Sequence, residues 1–135
     1  GGLKPHFYCL PILKHASDQA ALQQAALSAN KKFFLGTDSA PHAVDAKESA
    51  CGCAGIYSAP YALPLYTQFF DLNNKLDLLE NFASHFGADF YQLAHNKEML
   101  RLEKISQQIP NELPLGAQSI KPIEAGKEIF WSLKC

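Results

Sequence analysis

No run of apolar residues in this chain approaches the ~18 that would suggest a membrane-spanning helix. Charge of one sign is lacking too. Twelve lysines and arginines stand against thirteen aspartates and glutamates, a formal net charge of −1. That leaves no basic field for nucleic acid and no polybasic membrane anchor. The N-terminal GGLKPHFYCLP does not have the layout of a signal peptide, and the expected compartment is the cytoplasm. It also lacks an initiator methionine, which predicts a piece of something longer. Cysteine is sparse: Cys9, Cys51, Cys53 and Cys135. A secreted disulfide scaffold is normally smaller and richer in cysteine. Cys51 and Cys53 are too close for an easy bridge, and no second Cys/His pair has zinc-finger spacing. Reduced thiols are expected, with a metal clip or a redox pair as the other readings.

Apolar material for a core is present. Hydrophobic residues make up 47% of the 135, with nine phenylalanines, in a length typical of one domain. FYCLPIL, interrupted by Pro11, reads as a strand end or an extended loop. SDQAALQQAALSAN reads as a helix, with Ser17 or Asp18 as N-cap, an apolar face of Ala21, Leu22, Ala25 and Ala26, and Asn30 at its exit. KFFLGTDS is apolar on both faces and suits a strand of a covered parallel sheet. Residues 43–58 have loop chemistry at a length that suggests function. YALPLYTQFFDLN and LDLLENFASHFGADFYQL read as helices, the second broken near Gly87. MLRLEKISQQI and KEIFWSLKC alternate as strands do, the latter after a turn at PIEAGKE.

The stretch FLGTDSAPH, residues 34–42, carries a buried-looking strand to its end and sets Asp38 there. Two uses of that carboxylate are open. Asp38 can cap the helix that follows, with Pro41 near its first turn. Alternatively, at the C-terminal end of an α/β barrel strand, where loops converge on the chemistry, it can bind a metal or move a proton. His42 alone is a weaker signal. Lys47 and Glu48 read as a local ion pair on the loop, and His6 lies nearest this region of the other histidines.

Read at length, GTDSAPH followed by KESACGCAG, with GGLKPHFYCLPILK upstream and GADFYQL downstream, resembles the C-terminal part of bacterial-type dihydroorotases, members of the amidohydrolase superfamily. The resemblance implies an α/β fold: the C-terminal part of a (β/α)₈ barrel over residues 1–95 and a short β extension over 96–135, together part of one domain. Such a barrel typically takes ~250 residues. It implies interconversion of N-carbamoyl-L-aspartate and L-dihydroorotate in pyrimidine synthesis, with zinc as cofactor and a homodimer as assembly. By motif, Asp38 matches a zinc ligand and proton-transfer group, His42 a contact to the substrate carboxylate, and Leu10 and Ala54 main-chain contacts to the substrate ring. The CGC cysteines match no ligand.

This sequence departs from the family in two respects. After APH many members carry several basic residues, where AVDAKE stands here. The family's His-x-His pair, carboxylated lysine, two further histidines, and substrate-binding arginine and asparagine belong upstream of this stretch. These 135 residues alone are therefore expected to be inactive, because a catalytic zinc needs about three protein ligands. Other readings are a related cyclic amidohydrolase of the hydantoinase or allantoinase kind, which the CGCAG spacing disfavours, and a non-catalytic interaction domain.

Overall fold

A computed structural model describes residues 3–12 and 15–134. Gly1, Gly2, Leu13, Lys14 and Cys135 lie outside the described residues, and with them the ends of the expected FYCLPIL and KEIFWSLKC segments. The content is α/β, with helices first and strands last. Helix α1 spans Ala16–Ala26, α2 Val44–Lys47, α3 Ala62–Leu72 and α4 Phe86–Phe90. Among the described residues six short strands follow: β1 Arg101–Glu103, β2 Gln107–Gln108, β3 Leu113–Leu115, β4 Gln118–Ile120, β5 Glu128–Ile129 and β6 Ser132–Lys134. No helix among the described residues is long and apolar enough to cross a membrane.

Helix α1 starts earlier than its sequence suggested. His15 is the N-cap, and the Asp18 carboxylate reaches back to accept its backbone N–H at 3.1 Å. Asp18 therefore serves from the third helical position, where an acid closes the first turn. At the other end the left-handed residue is Ala29, at φ 56. Asn30 lies beyond it and turns its side-chain oxygen to the Lys32 N–H at 3.0 Å. The expected apolar face of α1 is covered only at its C-terminal end: Ala26 packs against the core, while Leu22 is 54% exposed.

The largest departure is the KFFLGTDS segment, which is not in a strand. A strand exists through the hydrogen bonds of its neighbours, and in a parallel sheet those neighbours arrive through crossover connections. Among the described residues no strand lies beside this segment. Its Leu35 N–H goes instead to the Phe82 carbonyl at 2.9 Å. The helix of residues 79–90 is not broken at Gly87 either. It widens into a π turn over Asn81–His85 and continues through α4. Gly87 is there for contact: a Cβ would meet the Phe34 ring at 3.2 Å, so its absence lets the helix lie against that ring.

Helix α3 forms as its sequence predicts and carries the core. Phe70 is 0% exposed and packs with Leu79 and Phe82. Its ring lies 5.3 Å from that of Phe82, which is 5.3 Å from Tyr66, at separations where tilted aromatic pairs attract. An apolar cleft of about 660 Å³ opens between α1, Phe33, Phe34 and the outer face of α3.

The strands form three antiparallel pairs, β1 with β6, β2 with β5, and β3 with β4. The sequence placed the outer four; the inner hairpin β3–β4 it missed. A two-residue turn at Gly116-Ala117 joins β3 to β4 through Leu115↔Gln118, with Gly116 at φ 60, as tight hairpin turns require. This β unit docks on α3 through polar clasps. The Phe130 N–H donates to Gln68 Oε1 at 2.7 Å, and Trp131 Nε1 donates to Asp71 Oδ2 at 3.1 Å. Lys104 Nζ pairs with the same Asp71 oxygen at 2.7 Å. The Lys104 and Trp131 bonds hold the Asp71 carboxyl below its ordinary range.

Because the core is so concentrated, Phe70→Ala should cost about 3–5 kcal/mol, the usual toll for truncating a buried phenylalanine. The check is the shift in the urea denaturation midpoint. A change within experimental error would mean that Phe70 is not the centre of the packing.

Candidate functional site

The loop stretch of residues 49–55 is made of small side chains and backbone, so its carbonyls need donors from elsewhere. Lys47 supplies them. Its side chain enters from the last residue of α2 and is 3% exposed. Nζ donates to the carbonyls of Tyr8 at 3.1 Å, Cys53 at 2.5 Å and Gly55 at 2.7 Å, so all three ammonium donors are used. Burial pushes the pKa of Lys47 down, against the nearby Cys53 and Cys9 thiols, which raise it. The expected Lys47–Glu48 ion pair is thus overturned: a buried ammonium needs partners inside, while Glu48 faces out. Glu48 Oε1 instead takes His6 Nε2 at 2.9 Å and Lys121 Nζ at 3.4 Å. Those two bonds, His6 first, hold the Glu48 carboxyl below its ordinary value.

The same loop also meets His42. Its Nε2 lies 3.2 Å from the Ala54 carbonyl. A carbonyl only accepts, so Nε2 carries the proton and Nδ1 is the nitrogen left over. Gly55 N–H donates to the Tyr8 carbonyl at 2.9 Å, which brings the segment before Leu10 alongside the loop. Gly55 sits at φ 149, and a Cβ there would stand 2.7 Å from the Ala40 carbonyl oxygen and 3.0 Å from His42 Cδ2. Gly55 therefore packs directly on Ala40 and the edge of the His42 ring.

Asp38 precedes this contact at φ 43, a left-handed conformation that aspartate tolerates better than most residues. It is exposed. The helix-cap reading of Asp38 fails: α2 begins from Ala43 with no side-chain cap. The capping oxygen is that of Ser39, which accepts the N–H groups of Ser58 and Ala59, both at 3.1 Å, where the turn into α3 starts. The neighbouring Ala40 N–H goes to the Ile56 carbonyl at 3.0 Å.

Of the four residues singled out by motif, the structure joins His42 to Ala54 directly. Leu10 is 60% exposed and connects through Tyr8. Asp38 connects along the chain, through the anchored Ser39 and Ala40. Cys9 and Cys53, both half-buried, and the exposed Cys51 are free thiols. Among the described residues no group of three or more His, Cys, Asp or Glu side chains is placed to hold a metal ion. Sequence reasoning missed the role of Lys47. The available signal was that Lys47 is the one lysine or arginine between Lys32 and Lys75, set in a stretch rich in backbone and poor in donors.

Gly55→Ala should cost roughly 1–3 kcal/mol, the range for a side chain forced into a disfavoured backbone region. Gly36→Ala should be tolerated, because nothing lies within 4 Å of a Cβ there. Denaturation midpoints of the two variants compare them directly, and equal losses would contradict the close approach at Gly55.

No family model matches the chain. It is 59% identical over 132 residues to a dihydroorotase of Acinetobacter baylyi, covering 97% of this chain and 38% of that protein. With the dihydroorotase of Vibrio campbellii the identity is 56% over 134 residues, 99% of this chain and 39% of that protein. Among solved structures, dihydroorotase from Saccharomyces cerevisiae in complex with 5-fluoroorotic acid matches with a TM-score of 0.91 at 38% identity, over 98% of this chain and 38% of that one. Dihydroorotase from Campylobacter jejuni matches with a TM-score of 0.87 at 34% identity, over 100% of this chain and 39% of that one. The chain spans about two fifths of the length of the curated relatives it matches.

Proposed function

The chain is a homologue of part of the dihydroorotases, and on that premise we propose that it supplies one side of a dihydroorotase active site. The reaction is the reversible cyclisation of N-carbamoyl-L-aspartate to L-dihydroorotate, a step of pyrimidine synthesis. The fold it contributes to is a (β/α)₈ barrel, with residues 1–95 as barrel segments and 96–135 as a β extension of the same domain. A homodimer in the cytoplasm is part of the same proposal. The observation that carries the reading is the identity of 54–59% along almost the whole chain. The geometry supports it, because the segments bearing the motif residues are bonded to one another through Tyr8, His42, Lys47 and Gly55.

Asp38 is proposed as a zinc ligand and as the group that moves the proton. Its carboxylate suits both: it is exposed, and among the described residues no side chain is hydrogen-bonded or ion-paired to it. It would be one ligand among several, the others coming from outside the described residues, so these 135 residues alone are proposed to be inactive. Bound zinc supplies Lewis acidity, polarising the amide carbonyl and easing deprotonation of water at neutral pH. In the hydrolytic direction Asp38 accepts a proton from the attacking water and returns it to the leaving ring nitrogen. His42 is proposed to hold the substrate carboxylate. With Nε2–H given to Ala54, Nδ1 donates to a carboxylate only when the ring is an imidazolium. Main-chain groups of Leu10 and Ala54 are proposed to hold the ring, and the absence of side-chain bulk at Ala54 leaves them accessible.

In the full-length protein, Asp38→Asn should leave the fold intact and lower kcat by roughly 10²–10⁴-fold, the usual weight of positioned proton transfer. Near-normal turnover of dihydroorotate by that variant would remove Asp38 from the mechanism. His42→Ala deletes a bond to a charged group, worth roughly 1.5–3 kcal/mol. The expected result is a KM for both substrates raised by about one to two decades; unchanged KM values would refute the contact.

A further inference from the structure

We propose that Lys47 is a positioning residue for the substrate-facing main chain at Ala54, a role that rests on the dihydroorotase reading above. The argument is one of peptide geometry. In a trans peptide the C=O and the following N–H point in opposite directions. Lys47 grips the Cys53 carbonyl at 2.5 Å, so the N–H of the same peptide, that of Ala54, is turned away from the ammonium. In the next peptide, the Gly55 N–H is given to Tyr8 O at 2.9 Å, an oxygen that also accepts from Lys47 at 3.1 Å. The Ala54 carbonyl is therefore turned away as well, toward His42. In the third peptide Gly55 O returns to Lys47 at 2.7 Å.

Two peptide planes are thus fixed from behind by one buried cation and one shared oxygen. The result is that Ala54 presents its N–H and its C=O on the face away from Lys47. Among the described residues no acceptor takes the Ala54 N–H, which leaves it to meet a carbonyl oxygen of a ring bound at that face. An apolar side chain at position 47 would leave the Cys53 and Gly55 carbonyls without a donor, and Tyr8 with the Gly55 N–H alone, and free the peptides to rotate. A guanidinium would not repair this, since its donors lie in a plane and cannot converge on three oxygens around a point as an ammonium does. The same grip also ties Tyr8, two residues before Leu10, to the loop, so both proposed main-chain contacts depend on it.

The test uses the full-length protein with Lys47→Met and Lys47→Arg measured side by side. Contacts to the ring hold the bound substrate and its transition state alike, so their loss appears in KM more than in kcat. Both variants are expected to show a KM for dihydroorotate raised at least about tenfold, with kcat within about threefold of wild type. A purely structural lysine would instead lower the amount of active enzyme, reducing the apparent kcat while KM stays put. Should Lys47→Met not fold, Lys47→Arg carries the comparison with the same expected split. A KM within twofold of wild type in a folded variant overturns the proposal. A wild-type protein that turns over no dihydroorotate removes the premise instead, which separates the two failures.

Discussion

A loop built from Ala, Gly, Ser and Cys has few side-chain hydrogen-bond donors with which to organise itself. Its shape has to be imposed on its carbonyls from outside, and here a single ammonium does this for Tyr8, Cys53 and Gly55. The other contacts of the region follow from that placement. Gly55 can approach Ala40 only because it lacks a Cβ, and His42 reaches the Ala54 carbonyl, which Lys47 does not use. Burying a lysine is unfavourable unless every proton finds an acceptor. The arrangement meets that condition with backbone oxygens, so neither the ion nor the loop is stable in this form without the other.

Helices and outer strands were legible because their determinants are local. Alanine and leucine spacing announced α1, YALPLYTQFFDLN read as the helix that forms α3, and alternation announced the segments that pair as β1 with β6 and β2 with β5. The long apolar KFFLGTDS was misread for a physical reason: apolar character on both faces reports burial between layers, while strand structure requires a neighbour to bond. Asp18 shows a smaller version of the same limit. An acid near a helix start is readable, but whether it acts from the cap or from the third position depends on where the first turn closes.

The candidate site divides along similar lines. Side-chain chemistry at Asp38 and His42 was visible as residue type and spacing. Backbone chemistry at Leu10 and Ala54 leaves almost no trace in side-chain identity, and resemblance alone pointed to it. Lys47 was misassigned to Glu48 because adjacent opposite charges invite pairing. Neighbours in sequence on a short helix point in different directions, and the two charges diverge, one inward to carbonyls and one outward to His6 and Lys121.

The nested pairing of the strands has a consequence for the order of assembly. β1 to β6 and β2 to β5 close one span of residues 101–134, inside which β3 and β4 turn back on each other across two residues. The hairpin therefore needs only a short loop closure, and each outer pair is zipped from an already shortened end. Docking onto α3 joins residues 60 and 62 positions apart. Loop-closure entropy favours the near contacts first, so the clasp of Trp131 to Asp71 belongs to a late step, when a preassembled β unit settles on the helix.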